Sequence, residues 1–279
     1  MTHEVITSPR NPRVAAAHSL RERHARDAAG LTLVDGARET LRALEAGVTV
    51  VTVFCCPTRL HGADARRLLA ALAEPGQAER VDIGPAALDR LAYGDRRDGI
   101  VAVVRPRRRM LADLALPAAP LVAVLEGVEK PGNVGAILRT ADAAGVDALI
   151  VADPATDLYN PNTIRASLGT IFTVPVVTAA AGEVLAWIQA RRLTAVVARV
   201  DAERAYTDVD YRIGAALVVG SEASGLTEVW RGPLVTAVRL PMRGSADSLS
   251  VSAAAAVLFY EARRQRDQVP VLHSRPSRR

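Results

Sequence analysis

Asn133-Val134-Gly135-Ala136-Ile137-Leu138-Arg139-Thr140-Ala141 opens an amphipathic stretch between two apolar runs, residues 121–125 and 148–151. Val134, Ile137, Leu138 and Ala141 recur at helical spacing and pack inward. Asn133 can cap such a helix and Gly145 can end it. Strand, helix and strand in this order predict an α/β fold built on a parallel sheet. The alternation continues, with strands expected at 173–177, 193–199, 215–219 and 235–240 and helices at 164–168 and 182–191. Several of these strands are β-branched runs with few charges, as expected of strands covered on both faces.

Working outward, residues 105–120 break the pattern. Pro106, Pro117 and Pro120 stand among basic and short apolar segments, which reads as an inter-domain connection. Upstream, strands are expected at 31–34, 48–54, 80–83 and 100–104, with helices at 37–46, 64–73 and 86–91. That is a second, smaller α/β domain. The expected boundaries are 1–107 for the N-terminal domain, 108–119 for the linker, 120–267 for the larger domain and 268–279 for a basic tail. There are no internal repeats. No Gly-x-Gly-x-x-Gly follows a strand and there is no Walker motif, so dinucleotide and P-loop readings have no support.

The 279 residues are 49% hydrophobic and 23% charged, a globular composition. No apolar run is long enough for a membrane span, and the N-terminus lacks the apolar core of a secretory signal, so a cytoplasmic address is expected. Cys55 and Cys56, the only cysteines, read as inert strand-end thiols in a reducing compartment, and no metal is expected. The net charge is +5 and the pI about 9.7. Lys130 is the only lysine. Arginine crowds three places: Arg10, Arg13, Arg21, Arg23 and Arg26; Arg105, Arg107, Arg108 and Arg109; and Arg263, Arg264, Arg266, Arg275, Arg278 and Arg279. Such runs are usually solvated faces; together they could frame a surface for RNA phosphates. The arginine-for-lysine skew is also what a GC-rich genome produces.

Two further segments carry chemistry. Val219-Gly220-Ser221-Glu222-Ala223-Ser224-Gly225-Leu226 follows a predicted strand, and its glycines permit close backbone approach where ligands bind in parallel sheets. Leu240-Pro241-Met242-Arg243-Gly244-Ser245-Ala246-Asp247-Ser248-Leu249-Ser250-Val251-Ser252 leads into a helix expected at 249–265, with Ser248 as its cap. From Leu249 through Tyr260 that helix has no charge and is apolar nearly all round, so more than one face is expected to be buried.

In this order and spacing the three segments resemble the motifs of the SpoU-TrmH (SPOUT) family of RNA ribose 2'-O-methyltransferases. Ile6-Thr7-Ser8-Pro9-Arg10-Asn11-Pro12-Arg13-Val14 and Leu31-Thr32-Leu33-Val34-Asp35-Gly36 also resemble the start of that family's substrate-binding domain. Asp157-Leu158-Tyr159-Asn160-Pro161-Asn162-Thr163-Ile164-Arg165-Ala166-Ser167-Leu168-Gly169 resembles family sequence between the first two motifs. The resemblance implies a ribosomal-protein-like RNA-binding domain followed by a trefoil-knotted methyltransferase domain, S-adenosylmethionine as cofactor, and a homodimer packed through the C-terminal helix. It implies that Arg139, Asn133, Glu222 and Ser248 are the catalytic set. It places the cofactor at Gly220, Leu240, Met242, Leu249 and Ser250. Arg165, Arg10 and Arg13 are the expected RNA contacts. On helix pattern alone Arg139 and Asp142 read instead as a surface pair, Glu222 as a solvated turn acid and Arg165 as a structural ion-pair partner.

A ribose hydroxyl is a poor nucleophile near neutral pH and must be held in line with a methyl donor. A guanidinium with a pKa above about 12 is no free base. Arg139 is therefore expected to orient and activate electrostatically. One position departs from the family pattern, which reads Ser-Leu-Asn where this chain reads Ser248-Leu249-Ser250. Serine keeps a donor and an acceptor but loses the amide's reach. Large-subunit rRNA is the expected substrate, because the two-domain layout resembles rRNA-modifying and antibiotic-resistance members. The rival readings are a tRNA 2'-O-methyltransferase and a non-catalytic RNA-binding paralogue; a small-molecule methyltransferase is disfavoured by the basic N-terminal domain.

Overall fold

The computed structural model describes residues 5–74, 76, 78–93, 98–222 and 224–268. Arg275, Arg278, Arg279 and most of the expected basic tail lie outside the described residues.

The first half folds around a four-stranded mixed sheet of order β1-β4-β2-β3. Its strands are β1 (Thr32–Asp35), β2 (Thr49–Cys55), β3 (Glu79–Asp82) and β4 (Ile100–Arg105). Helices α3 (Ala37–Glu45), α4 (Ala63–Leu72) and α5 (Pro85–Leu91) connect them. Two further helices, α1 (Pro12–Ser19) and α2 (Arg23–Ala29), occupy the arginine-rich arm. Sequence reading missed both, because Ala and Arg dominate them and an apolar stripe is weak. Asn11 caps α1, its side chain accepting from the Arg13 amide at 2.9 Å, and Pro12 occupies the first turn.

The second half is a six-stranded, all-parallel sheet of order β10-β8-β9-β5-β6-β7. The strands are β5 (Leu121–Glu126), β6 (Ala148–Ala152), β7 (Val176–Ala179), β8 (Thr194–Ala198), β9 (Ala215–Val219) and β10 (Thr236–Val238). Helices α6 (Pro131–Ala144), α7 (Pro161–Ala166), α8 (Ala181–Ala190) and α9 (Val251–Asp267) cover it. Alternate residues of β5 serve the two faces: Leu121, Ala123 and Leu125 enter one core with α6 and α9, while Val122 and Val124 enter another with α8.

Several expected boundaries shift, three of them for a plain physical reason. Helix α6 starts at Pro131, with Lys130 as its cap. Proline is pre-organised for the first helical position and pulls the start upstream of Asn133. Helix α9 is capped by Ser250, not Ser248; the Ser250 hydroxyl accepts from the Ala253 amide at 3.4 Å. Strand β7 begins at Val176, because Thr170–Phe172 forms a 3-10 turn and Pro175 has no amide to donate.

The two sheets share one apolar core that runs from Val34, Val53 and Leu68 to Leu121, Ile137 and Phe259. The segment around α7 seals the seam. Thr32 Oγ1 donates to the Tyr159 carbonyl at 2.7 Å, Arg42 Nη1 to the Leu168 carbonyl at 2.5 Å, and Tyr159 Oη to the Arg107 carbonyl at 2.7 Å. Arg26 pairs with Asp157 at 2.6 Å across it. Among the described residues no helix is long and apolar enough to cross a membrane.

Candidate active site

A cleft of about 520 Å³ opens at the C-terminal ends of β8, β9 and β10, the edge at which parallel sheets bind ligands. Gly220 follows β9 directly. A Cβ there would lie 2.5 Å from the Gly225 carbonyl oxygen, so only glycine fits. The chain then turns back: the Gly225 amide donates to the Ser221 carbonyl at 3.0 Å, and Gly225 has φ +67°. The result is a tight backbone wall on one side of the cleft. Leu240, Met242, Asp247, Ser248 and Leu249 line another side, on the loop between β10 and α9.

Glu222 ties the three motifs together. Its Oε1 accepts from Asn133 Nδ2 at 3.2 Å and from the Val251 amide at 3.3 Å, and Lys130 Nζ lies 3.3 Å from Oε2. One side chain thus joins the start of α6, the turn after β9 and the N-terminus of α9. The Val251 amide, followed by Lys130, holds the Glu222 carboxyl below the usual glutamate range.

The expected site residues separate into groups. Gly220, Leu240, Met242, Ser248, Leu249 and Glu222 line the cleft. Asn133 reaches its edge through Glu222. Ser250 is engaged in capping α9. Arg139 is exposed on α6, two residues past Ile137, outside the cleft lining. Among the described residues nothing pairs with Arg139, and Asp142 instead accepts from Thr173 Oγ1 at 3.1 Å.

The RNA candidates differ. Arg165 lies 5.7 Å from the Tyr93 ring centroid and donates to the Tyr93 carbonyl at 3.5 Å. Arg13 pairs with Glu79, and the Arg10 side chain is exposed. Several other arginines of the three clusters serve the fold. Arg21 pairs with buried Asp35 at 2.7 Å. Arg266 donates to the carbonyls of Ala119, Pro120, Tyr211 and Ile213, and burial lowers its pKa. Arg264 pairs with Glu261 at 2.7 Å.

Sequence reading missed the opposite rim. Arg199, just past β8, binds Asp201 at 2.5 Å, and Arg231 pairs with Glu228 at 2.8 Å. Arg199, Asp201 and Arg231 all line the cleft, and Arg199 lowers the Asp201 carboxyl pKa. The position of residues 199–201 after a parallel strand was the available signal. Glu126 and Trp230 were also missed, because a buried acid ending a strand has no local signature.

Comparison with known proteins bears on this geometry. Residues 120–260 match the SpoU rRNA Methylase family, and residues 11–102 match an MRM3-like substrate binding domain. A 23S rRNA (uridine(2479)-2'-O)-methyltransferase of Streptomyces viridochromogenes is 35% identical over 256 residues, covering 88% of this chain and 87% of that protein. The 23S rRNA (guanosine-2'-O-)-methyltransferase RlmB of Bordetella pertussis is 38% identical over 202 residues, covering 68% of this chain and 82% of its own. The crystal structure of the SpoU methyltransferase AviRb from Streptomyces viridochromogenes, in complex with AdoMet, superposes with a TM-score of 0.83 at 33% identity. That match covers 93% of this chain and 99% of the other. The parallel sheet, the glycine turn after β9 and a match spanning half the chain lead to one assignment: the chain belongs to the SpoU rRNA methylase family.

Proposed function

We propose that the protein transfers a methyl group from S-adenosylmethionine to a ribose 2'-hydroxyl of 23S rRNA. The observation that carries the reading is Glu222, which joins Asn133, Lys130 and the head of α9 at the mouth of a cleft walled by backbone. The cleft fits the cofactor. Its volume of about 520 Å³ lies in the small-molecule range, Gly220 lets the backbone wall close against Gly225, and Leu226, Leu240, Met242 and Leu249 offer apolar surface beside polar backbone.

When bound, the cofactor would supply an electrophilic sulfonium methyl to the ribose hydroxyl oxygen, with S-adenosylhomocysteine as the leaving group and the hydroxyl proton passing to solvent. The chain's own residues set up that transfer. Arg139 is exposed and, among the described residues, unpaired, as required of a guanidinium that must fork a phosphate beside the target ribose. Glu222 holds Asn133 and the α9 N-terminus in fixed relation, so the mouth is pre-organised. Ser248 stands on the cleft wall with its side chain exposed, within the loop that would face the ribose.

The N-terminal domain, with Arg10, Arg13 and Arg165 on its surface and seam, would hold the RNA. The knotted course of the chain through the loop before α9 and a homodimer through α9 belong to the same proposal. The outer face of α9 supports the dimer: Ala253, Ala256 and Val257 are half-buried and Tyr260 is 52% exposed. A ribosomal substrate accords with a cytoplasmic address.

The test is incubation of the purified protein with deproteinised rRNA, and separately tRNA, plus methyl-labelled S-adenosylmethionine, followed by nuclease mapping. Label at one ribose of 23S rRNA is expected. Label on tRNA alone would overturn the substrate, and no label despite measured cofactor binding would overturn the activity.

A further inference from the structure

Glu126 ends β5 and is 2% exposed. Among the described residues no cation pairs with it. Its carboxylate instead takes three donors: the Thr227 amide at 2.8 Å, Thr227 Oγ1 at 2.7 Å and Trp230 Nε1 at 2.9 Å. All three come from one short segment, about a hundred residues away in the chain. That segment continues the turn after β9, and Leu226, Thr227, Trp230 and Arg231 form a wall of the cleft. Glu126 itself does not line the cleft. Gly127, the next residue, has φ +62°, and a Cβ there would touch Ser221 at 3.6 Å, so the end of β5 also backs onto the turn.

A carboxylate has only acceptors, and here three of its acceptor sites meet donors of one loop. An apolar residue at this strand end would leave the buried Trp230 indole N–H without its acceptor and take the Thr227 amide's acceptor away as well. Backbone bonds from the Trp230 amide to the Thr227 carbonyl and from the Arg231 amide to the Glu228 carbonyl turn the segment, and Glu126 fastens it from behind. We propose that Glu126 is a positioning residue for the cofactor: acting through Thr227 and Trp230, it holds the 226–231 wall in the binding shape. Cofactor binding then bears little of the cost of ordering the loop. The proposal rests on the reading of the cleft as the S-adenosylmethionine site.

The full-length protein tests it, with S-adenosylhomocysteine as the calorimetric probe. Glu126→Gln puts an amide donor where the carboxylate accepted from a loop donor. It should raise the probe's Kd and the KM for S-adenosylmethionine about tenfold. The kcat at saturating cofactor and the KM for rRNA should stay within about twofold. Thr227→Val, which keeps the fold if Glu126→Gln does not, should raise Kd about threefold, while Thr227→Ser restores it. In the double variant the two effects should be less than multiplicative, because the hydroxyl acts through the carboxylate. Wild-type Kd in folded Glu126→Gln and Thr227→Val proteins, or a fall in kcat with KM unchanged, would overturn the proposal. Multiplicative effects in the double variant would overturn it as well. Failure of the wild type itself to bind the probe would remove the cleft reading and this inference with it.

Discussion

Ser250 stands where the family pattern has asparagine, and its structural duty is plain. Its hydroxyl caps α9, and serine and asparagine are comparable helix caps. Ser250→Ala should therefore lower stability by about 1 kcal/mol, whereas Ser250→Asn should leave the urea midpoint unchanged; chemical denaturation of the three proteins checks this. Arg139 shows the opposite character, since among the described residues nothing pairs with it. Arg139→Ala should cut methylation by at least about a hundredfold while the cofactor Kd stays within about twofold; loss of both would mean a structural role. For Glu222 the pKa is lowered on folding, chiefly by the Val251 amide and then by Lys130. A lowered carboxylate contributes stability above its unfolded pKa and loses it as pH falls through the folded value. The wild type should thus lose stability relative to Glu222→Gln below pH about 4.5, with the difference constant near neutrality. Parallel acid titrations followed by circular dichroism would show it, and identical curves would contradict it.

Between elements, α6 lies close against α7. A Cβ on Gly135 would sit 2.5 Å from the Ala166 Cβ and 2.8 Å from the Thr163 carbonyl oxygen. Gly135→Ala should cost about 1–3 kcal/mol through overpacking. Because α7 carries Arg165, the same change should weaken rRNA binding in a filter assay more than it weakens cofactor binding. The glycine in the first motif thus lets two helices touch. Helix α9 carries the same lesson: its uncharged first turns pack on α6 and β9 of the same chain, with a further apolar face left outside.

At the scale of the molecule, the two sheets are joined by a common core and a polar seam, not merely by the proline-rich connection. The Arg26 and Asp157 side chains are 5% and 17% exposed. Arg26 also donates to the carbonyls of Leu20 and Arg21. Arg26→Ala should destabilise the protein by about 3–5 kcal/mol, the cost of stranding one partner of a buried pair. A lowered denaturant midpoint with an unchanged slope would confirm it. Such a seam holds the domain that matches the MRM3-like substrate binding domain at a set distance from the proposed methyl-transfer cleft.

Periodicity and composition made the parallel sheet, most of its helices and the three motifs legible along the chain, because those signals repeat within a turn or a few residues. Gly220 and Gly225 could be named in advance for the same reason: their backbone demands are local. What the chain alone left open was partnership. That Arg21, Arg26 and Arg266 serve the fold while Arg139 pairs with nothing among the described residues, that Glu222 gathers Asn133 and the head of α9, and that Glu126 fastens Trp230 all depend on residues well separated in the chain. Contacts of that kind leave no local pattern; they exist only once the sheet order and the shared core have brought the segments together.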